Sequence, residues 1–405
     1  MNISQAPKSS QRKTDGYDTR LKIKTYDKDN LYPQNVMSVV YASSTASACL
    51  DRFQDYIEGN GLSSQKISDM IVNHRQQTMD EIHHLCSLDF GLFNGFALHV
   101  NYDIYCRPCE IQHVPFEDCR IEEPDDNDYV AHIIVHPDWT GNKTRGGKKV
   151  FVNANNVDVI DVFNPDPSVV ADQIRKAGGI DKYKGQILYY SKAGYMTYPR
   201  PRYDSCITDI STDEGLSNVT NRNVRNNFLP AGVVVYYKNK NSVGFDEKGN
   251  PITTDSSATD DFVEQLKAVQ GDTKACKLIA FGIDYPEEKP MFEKFNVNNY
   301  DKDFSVSQET VEDRIYSIFG QEGWLCLRRG KIGFSGDLVN DIKREYCESV
   351  TKYQRPLTNA YFKILSRFDP ERVPDAVTIE NLKIEPYIKS LNTTDNGTNN
   401  SIGTE

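Results

Sequence analysis

Residues 204–228 read DSCITDISTDEGLSNVTNRNVRNNF, and the fold turns on what such a helix can pack against. Asp204 or Ser205 supplies an N-cap, because a short oxygen-bearing side chain accepts from the open amides of a first turn. The apolar residues Ile207, Ile210, Leu216, Val219 and Val224 form only a thin, irregular stripe. Asn218, Asn221, Asn223, Asn226 and Asn227 crowd its second half. A helix this polar cannot be held by its own domain's core alone. It belongs in an assembly, beside copies of itself, with one side in solvent.

Downstream, Ala231 to Tyr237 reads as a strand and 238–258 as a polar, turn-rich stretch. A helix with Phe262, Leu266 and Val269 follows, ending at Gly271, and then a strand from Cys276 to Phe281. A small strand–helix–strand module is thus expected over 229–300, between longer helices. The next helix is expected from Ser305 or Ser307, burying Val311, Ile315, Ile318 and Phe319 before Gly320. After a loop of about 323–336, a long helix starts at Asp337, with Leu338, Ile342, Tyr346, Val350 and Tyr353 on one face. Pro356 should kink it, since proline lacks the amide and crowds the preceding turn. Residues 391–405, rich in Asn, Thr and Gly, are expected to be disordered.

Upstream lies an α+β unit. Residues 1–25 are polar and mildly basic and read as a flexible arm. Order is expected from Pro33, with a helix from about Ser44 carrying Ala46, Cys49, Leu50, Phe53 and Ile57 on one face and stopped by Gly59-Asn60-Gly61. A second amphipathic helix after Ser64 would bury Ile67, Met70, Ile71, His74, Ile82 and Leu85. The period then changes to two at Phe96, Leu98, Val100 and Tyr102, which is strand behaviour. Further strands are expected near 110–116, 129–136, 149–154 and 186–191, and a short helix from Asp166-Pro167 to Gly178-Gly179.

With Lys+Arg of 47 against Asp+Glu of 58 the chain carries a net charge of −11. Proteins that grip nucleic acid neutralise phosphates and are normally basic, so the charge argues against tight DNA binding, whereas a surface that merely surrounds DNA is allowed. The N-terminus lacks the apolar core of a signal peptide, and no apolar run is long enough for a bilayer. The nine cysteines are odd in number and scattered, and read as reduced thiols of a cytoplasmic protein.

The local motifs resolve into bland readings. Cys106-Arg107-Pro108-Cys109, with His99, His113 and Cys119 nearby, could supply zinc ligands, but no second CxxC exists and the segment reads as a strand turn. Gly141 to Lys148 has the glycines of a phosphate loop without Lys-Ser/Thr after the second, and reads as a hairpin. Glu122 to Asp128 lacks the glycine and closing Glu of a calcium loop and reads as a solvated acidic turn. No cofactor, metal or catalytic residue is assigned.

Several phrases resemble the portal proteins of tailed bacteriophages. They are Asp29-Asn30-Leu31-Tyr32-Pro33; Tyr56-Ile57-Glu58-Gly59-Asn60-Gly61-Leu62; Gly91-Leu92-Phe93-Asn94-Gly95-Phe96-Ala97; and His113-Val114-Pro115-Phe116. Tyr198-Pro199 to Tyr203, Asn227-Phe228-Leu229-Pro230-Ala231-Gly232 and Arg355-Pro356-Leu357 continue the series. Their order and spacing cover roughly 25–370.

The resemblance implies a portal fold: an α+β wing, two stem helices flanking an inserted α/β clip, and a long kinked C-terminal helix. Position by position it implies an N-terminal arm over 1–25, a wing over 26–203, a first stem helix over 204–228 and a clip over 229–300. It then implies a second stem helix over 301–322, a tunnel loop over 323–336, a wing return with a short crown over 337–390, and the tail 391–405. The implied role is non-enzymatic: a homo-oligomeric ring, twelve subunits in the family, at one capsid vertex of the virion. The ring is the head–tail connector through which the genome is packaged and ejected. Its implied partners are the terminase large subunit, the major capsid protein and scaffold, a head-completion or tail adaptor, and double-stranded DNA passing without sequence specificity. The host cytoplasm is the place of assembly.

A conduit must surround DNA without holding it, and the second stem helix offers Glu309, Glu312 and Asp313 against Arg314. Arg328, Arg329 and Lys331 in the following loop are the candidate points of brief phosphate contact. Two other classes stay open: a metal-dependent phage hydrolase built on the Cys/His region, and another minor head or adaptor protein.

Overall fold

Phe96, Leu98 and Val100 point to one side of a strand and Ala97 to the other, yet all four are fully buried. A strand covered on both faces lies inside a sheet, and this one organises the larger of two units. The computed structural model describes residues 16–125, 129–141, 144–145, 148–149, 151–194, 196–225, 232–237, 243–245, 251–253, 278–283, 300–330 and 336–387. The chain divides into a first unit of residues up to Ile210 and from Asp313 onward, and a second of Ser211–Glu312.

The first unit begins with a hairpin, β1 (Tyr17–Asp18) and β2 (Ile23–Lys24), then α1 (Tyr32–Ala42), α2 (Ser44–Glu58), α3 (Gln65–Ser68) and α4 (Met79–Phe93). Strands β3 (Gly95–Tyr102), β4 (Pro108–Val114), β5 (Cys119–Ile121) and β6 (His132–Val135) follow, then a small hairpin of β7 (Thr144–Arg145) and β8 (Lys148–Lys149). β9 (Asp158–Val162), α5 (Pro167–Ala177) and β10 (Gln186–Ser191) complete the sheet, which runs β4-β3-β10-β9-β6-β5. The β9/β10 pair is parallel because α5 carries the chain across between them. The fold class is α+β, as read from the sequence.

Both borders of the sheet are met by the chain itself. Beyond β5, Ile23 pairs with Glu122, and the Glu123 amide donates to Lys22 O at 3.0 Å. Beside β4, the Ile111 amide donates to Val72 O at 2.9 Å and the Asn73 amide group to Ile111 O at 3.0 Å. For its described residues, 16–25, the hairpin corrects the expected arm, since Ile23 is fully buried with Ile134 and Trp139; residues 1–15 lie outside the described residues. The hairpin's alternation over few residues was too short to register as a strand.

Two other expectations fail in this unit, and one helix was not foreseen. The single helix after Ser64 is broken into α3 and α4. Asn73 Oδ1 accepts from the Arg75 and Gln77 amides, Gln76 takes φ 62°, and Ile71 is left 50% exposed. A short side chain that bonds its own backbone competes with a helix. Thr78 restarts the helix by accepting from the Glu81 amide at 3.2 Å. The strand expected over 149–154 is mostly a turn instead. Asn153 and Asn156 bond the backbone there, and β9 forms further on. The helix α1 was not anticipated; Pro33 in its first turn fits the open end of a helix.

Beyond α6 (Ile207–Arg225) the second unit contains β11 (Gly232–Tyr237), β12 (Val243–Phe245), β13 (Pro251–Thr253) and β14 (Leu278–Ile283). β11 pairs with β14 in parallel and β12 with β13 antiparallel. A parallel pair requires a crossover. The helix expected around Phe262–Val269 lies outside the described residues, as do 226–231 and the tail 391–405.

The chain continues through α7 (Tyr300–Phe319), α8 (Glu322–Arg328) and α9 (Gly336–Leu365). α7 starts earlier than the serines expected to cap it. The loop expected from 323 is helical as far as Arg328, because Leu325 and Leu327 bury themselves. α9 is unbroken through Pro356.

Aromatic rings fill the core where α2, α4 and α9 meet the sheet. Phe90 packs edge-on against Phe96, Tyr190 and Tyr353, and Phe53 against Tyr353 and Phe319. After α9 the chain returns to the end of α2. The Asn60 amide donates to Glu385 O and the Glu385 amide to Gly61 O, both at 2.9 Å. Gly59, at φ 68°, is required: a Cβ there would lie 2.2 Å from Glu385 O.

Candidate functional site

The two helices singled out in the sequence meet at their bases in the first unit. Tyr203, fully buried, donates to Leu92 O at 2.6 Å and stacks on Phe319, the last residue of α7, at 5.4 Å. Tyr32 donates to the Asp204 carboxylate, and Arg200 lies over the Tyr32 ring at 4.1 Å. Burial and then Asp204 raise the Tyr32 phenol well above its usual range, so it is a donor at any physiological pH. In the first turn of α6, Asp209 Oδ1 accepts from Arg314 Nη1 of α7 at 2.9 Å. Ile210 and Ile315 are both fully buried beside this pair. Departing and returning helices are therefore locked together where they join the first unit.

The end of α7 is built as carefully. Gly320 at φ 67° turns the chain, the Gly320 amide donating to Ser317 O at 2.9 Å and the Gln321 amide to Tyr316 O at 2.8 Å. These are the paired bonds that close a helix on a left-handed residue. Gln321 is then wholly buried with its amide group satisfied. Its Nε2 donates to Cys49 O and Tyr346 Oη, each at 2.8 Å, and its Oε1 accepts from Arg52 Nη1 at 2.7 Å. One side chain thus ties α7 to α2 and α9. Sequence reading missed it, although a polar residue between Gly320 and an apolar run was the available signal.

Of the candidate phosphate contacts, Arg329 reaches back to α7 and pairs with Asp313, while Arg328 Nη1 lies 3.4 Å from Tyr316 Oη. Arg329 and Asp313 are thus brought together, and a phosphate would have to compete with that carboxylate. Lys331 lies outside the described residues. Glu309 is exposed and Glu312 half-buried on the part of α7 that belongs to the second unit.

The sites with more chemical appeal are structural. Cys106 sits at φ 60° in the β3–β4 turn. There Asp103 accepts from the Tyr105 and Arg107 amides and pairs with the Arg107 side chain. Burial pushes the Cys109 thiol up to about 11. Among the described residues no group of three or more His, Cys, Asp or Glu could hold a metal ion, and the eight cysteines among them are free thiols. His83 is buried between Tyr361 Oη at 3.0 Å and Glu58 O at 2.9 Å, and burial lowers its pKa. Arg120, fully buried, is held by Asn30 and by the carbonyls of Glu117 and Cys119, between the rings of Tyr26 and Trp139. Beside it, burial and then Glu117 push the Asp118 carboxyl up to about 7, with the Arg120 charge opposing. No helix among the described residues is long and apolar enough to cross a membrane.

No protein-family description and no curated protein matches the sequence. Among solved structures, the chain is similar to one from the virion of a native gene transfer agent particle, at 11% identity and a TM-score of 0.34, covering 71% of this chain and 68% of that one. It is also similar to one from the neck of the native particle computed with C12 symmetry, at 12% identity and a TM-score of 0.35, with the same coverage.

Proposed function

We propose that the chain is a portal-type subunit, a non-enzymatic ring former through which double-stranded DNA passes during packaging and ejection at a virion vertex. The observation that carries this reading is the pair of helices α6 and α7, joined at their bases by Asp209–Arg314 and Tyr203–Phe319. Between them the chain makes a separate unit with a parallel strand pair. Past Asp213, α6 is half-buried or exposed through Asn221, as far as its side chains are described. A polar helix this exposed along its described flank gains its remaining contacts from neighbouring copies. The net charge of −11 supports a conduit that lets DNA slide. Duplex DNA carries about one charge per 1.7 Å, so a basic lumen would hold it at many points.

In this reading the terminase large subunit, capsid protein, scaffold and a tail adaptor are the protein partners, and Arg328 and Lys331 make passing phosphate contacts. Negative-stain microscopy of the purified protein tests the proposal. Closed rings with a central hole wide enough for a duplex are expected. A strict monomer at high concentration, or a closed dimer without a hole, overturns it.

A further inference from the structure

Lys192 follows β10, Arg202 precedes the turn into α6, and Lys352 lies on α9, yet the fold gathers them around two touching rings. Lys192 Nζ is 4.0 Å and Lys352 Nζ 5.5 Å from the centre of the Tyr353 ring. The Arg202 guanidinium is 5.7 Å from the Phe53 ring, which meets Tyr353 edge-on at 5.1 Å. Among the described residues none of the three cations is paired with a carboxylate, although acids outnumber bases in the chain. Burial, and then the charges of Lys352 and Arg202, push the Lys192 ammonium below the ordinary lysine value. The rings beneath supply weak cation–π attraction and no counter-charge.

The opposite charge sits across α2. At 3.6 residues per turn, Asp51, Asp55 and Glu58 fall on the side of that helix away from Phe53. Asp51 and Asp55 are exposed. Burial, and then Glu58 and Asp51, hold the Asp55 carboxyl above its usual value. Glu58 accepts from His84 at 2.8 Å, and the nearby Arg52 is committed to Gln321 and lies over the Trp324 ring at 4.9 Å. One unit therefore presents unpaired cations on one side of α2 and crowded carboxylates on the other. Complementary patches on different sides of a subunit make head-to-tail contacts, which repeat and close into a ring when the rotation allows.

We infer that Lys192, Arg202 and Lys352 receive the Asp51–Asp55 face of α2 from a second copy of this chain, an inference that rests on the ring reading above. The contact sets the register between consecutive subunits, and it weakens with salt because both patches are at the surface.

Charge reversal followed by sedimentation velocity and microscopy tests it. Lys192→Glu/Lys352→Glu, and separately Asp51→Lys/Asp55→Lys, should each raise the protein concentration needed for rings by about tenfold or more at moderate salt. The four-fold variant, with both patches reversed, should recover rings. Neutral Lys192→Gln/Lys352→Gln, checked for an unchanged melting temperature, should show the same direction with a smaller shift. If wild-type rings form and every reversal leaves them intact, the inference is wrong while the ring reading stands. If each pair breaks the rings and the combination does not restore them, the two patches do not meet. Loss of duplex DNA binding in Lys192→Glu/Lys352→Glu with rings unaltered identifies nucleic acid as the occupant and also overturns it. A wild-type chain that never closes a ring removes both proposals together.

Discussion

Helices α2 and α6 are of similar length, 15 and 19 residues, and are stabilised by different means. α2 buries Ala46, Cys49, Leu50, Phe53, Tyr56 and Ile57 along one face, begins on a Ser43 cap and ends on Gly59. α6 is buried at Ile210 and Asp213 and then presents Gly215, Ser217, Asn218, Val219, Thr220 and Asn221 to solvent. Gly, Ser, Thr and Asn are weak helix formers, so propensity does not make up the difference. α2 is held by what lies beside it along one whole face, whereas α6 is anchored at its foot by Asp209 and Ile210. A chain that keeps such a helix has another place for its flank, and that is the physical content of the ring proposal.

The sharpest way to break this contrast is a pair of truncations. Phe53→Ala removes a ring packed on Phe319 and Tyr353 and should lower the stability of the isolated chain by about 3–5 kcal/mol. Leu216→Ala on α6 should change it by about 1 kcal/mol or less. Urea unfolding of both variants reads the difference, and equal losses would mean that α6 has a core of its own.

A smaller effect sharpens the account of the foot. Gln321→Leu leaves the Arg52 guanidinium, the Tyr346 hydroxyl and Cys49 O without their shared partner. The loss should be about 1–3 kcal/mol, because the buried Tyr346 hydroxyl loses the hydrogen bond it accepts and Arg52 loses its amide partner. A thermal melt unchanged from wild type would show that the junction of α7 with α2 and α9 is held by packing alone.

A pH-dependent test concerns Asp118, just before β5 of the sheet. The folded pKa of Asp118, about 7, lies above its ordinary 3.8, so the folded state holds the proton more tightly. The stability associated with that proton is complete below the ordinary value and is lost as pH rises through about 7. Asp118→Asn should therefore leave the melting temperature nearly unchanged near pH 4 and raise it near pH 8. Melting curves that differ by the same amount at both ends would refute the assignment.

Legibility followed the range of the interactions. The apolar spacing along α2, the alternation through β3, the turn at Cys106 and the Gly320 stop were all readable, because each is decided within a few residues. What escaped was decided at a distance. The burial of Ile23 depends on β5 and Trp139, and the helical fate of Glu322–Arg328 depends on room for Leu325 and Leu327. The Asn73 turn was local and legible in principle, but the apolar spacing of Ile67, Met70 and Ile71 read more strongly than one side chain bonding its own backbone. At the candidate site, the two helices were visible as types. That Arg329 would find Asp313 requires the turn at Gly320 to be known first, and that Arg314 would find Asp209 requires α7 to be known to return beside the start of α6.

The β1–β2 hairpin and the Val72–Asn73 segment occupy the borders of the main sheet. An open strand border is a template on which another chain can add, and repeated addition leads toward fibres. A protein that meets its own copies at high local density is protected from that outcome when its own backbone already sits there. Growth by strand addition is thereby discouraged, which leaves any association between copies to side chains, whose geometry can limit their number.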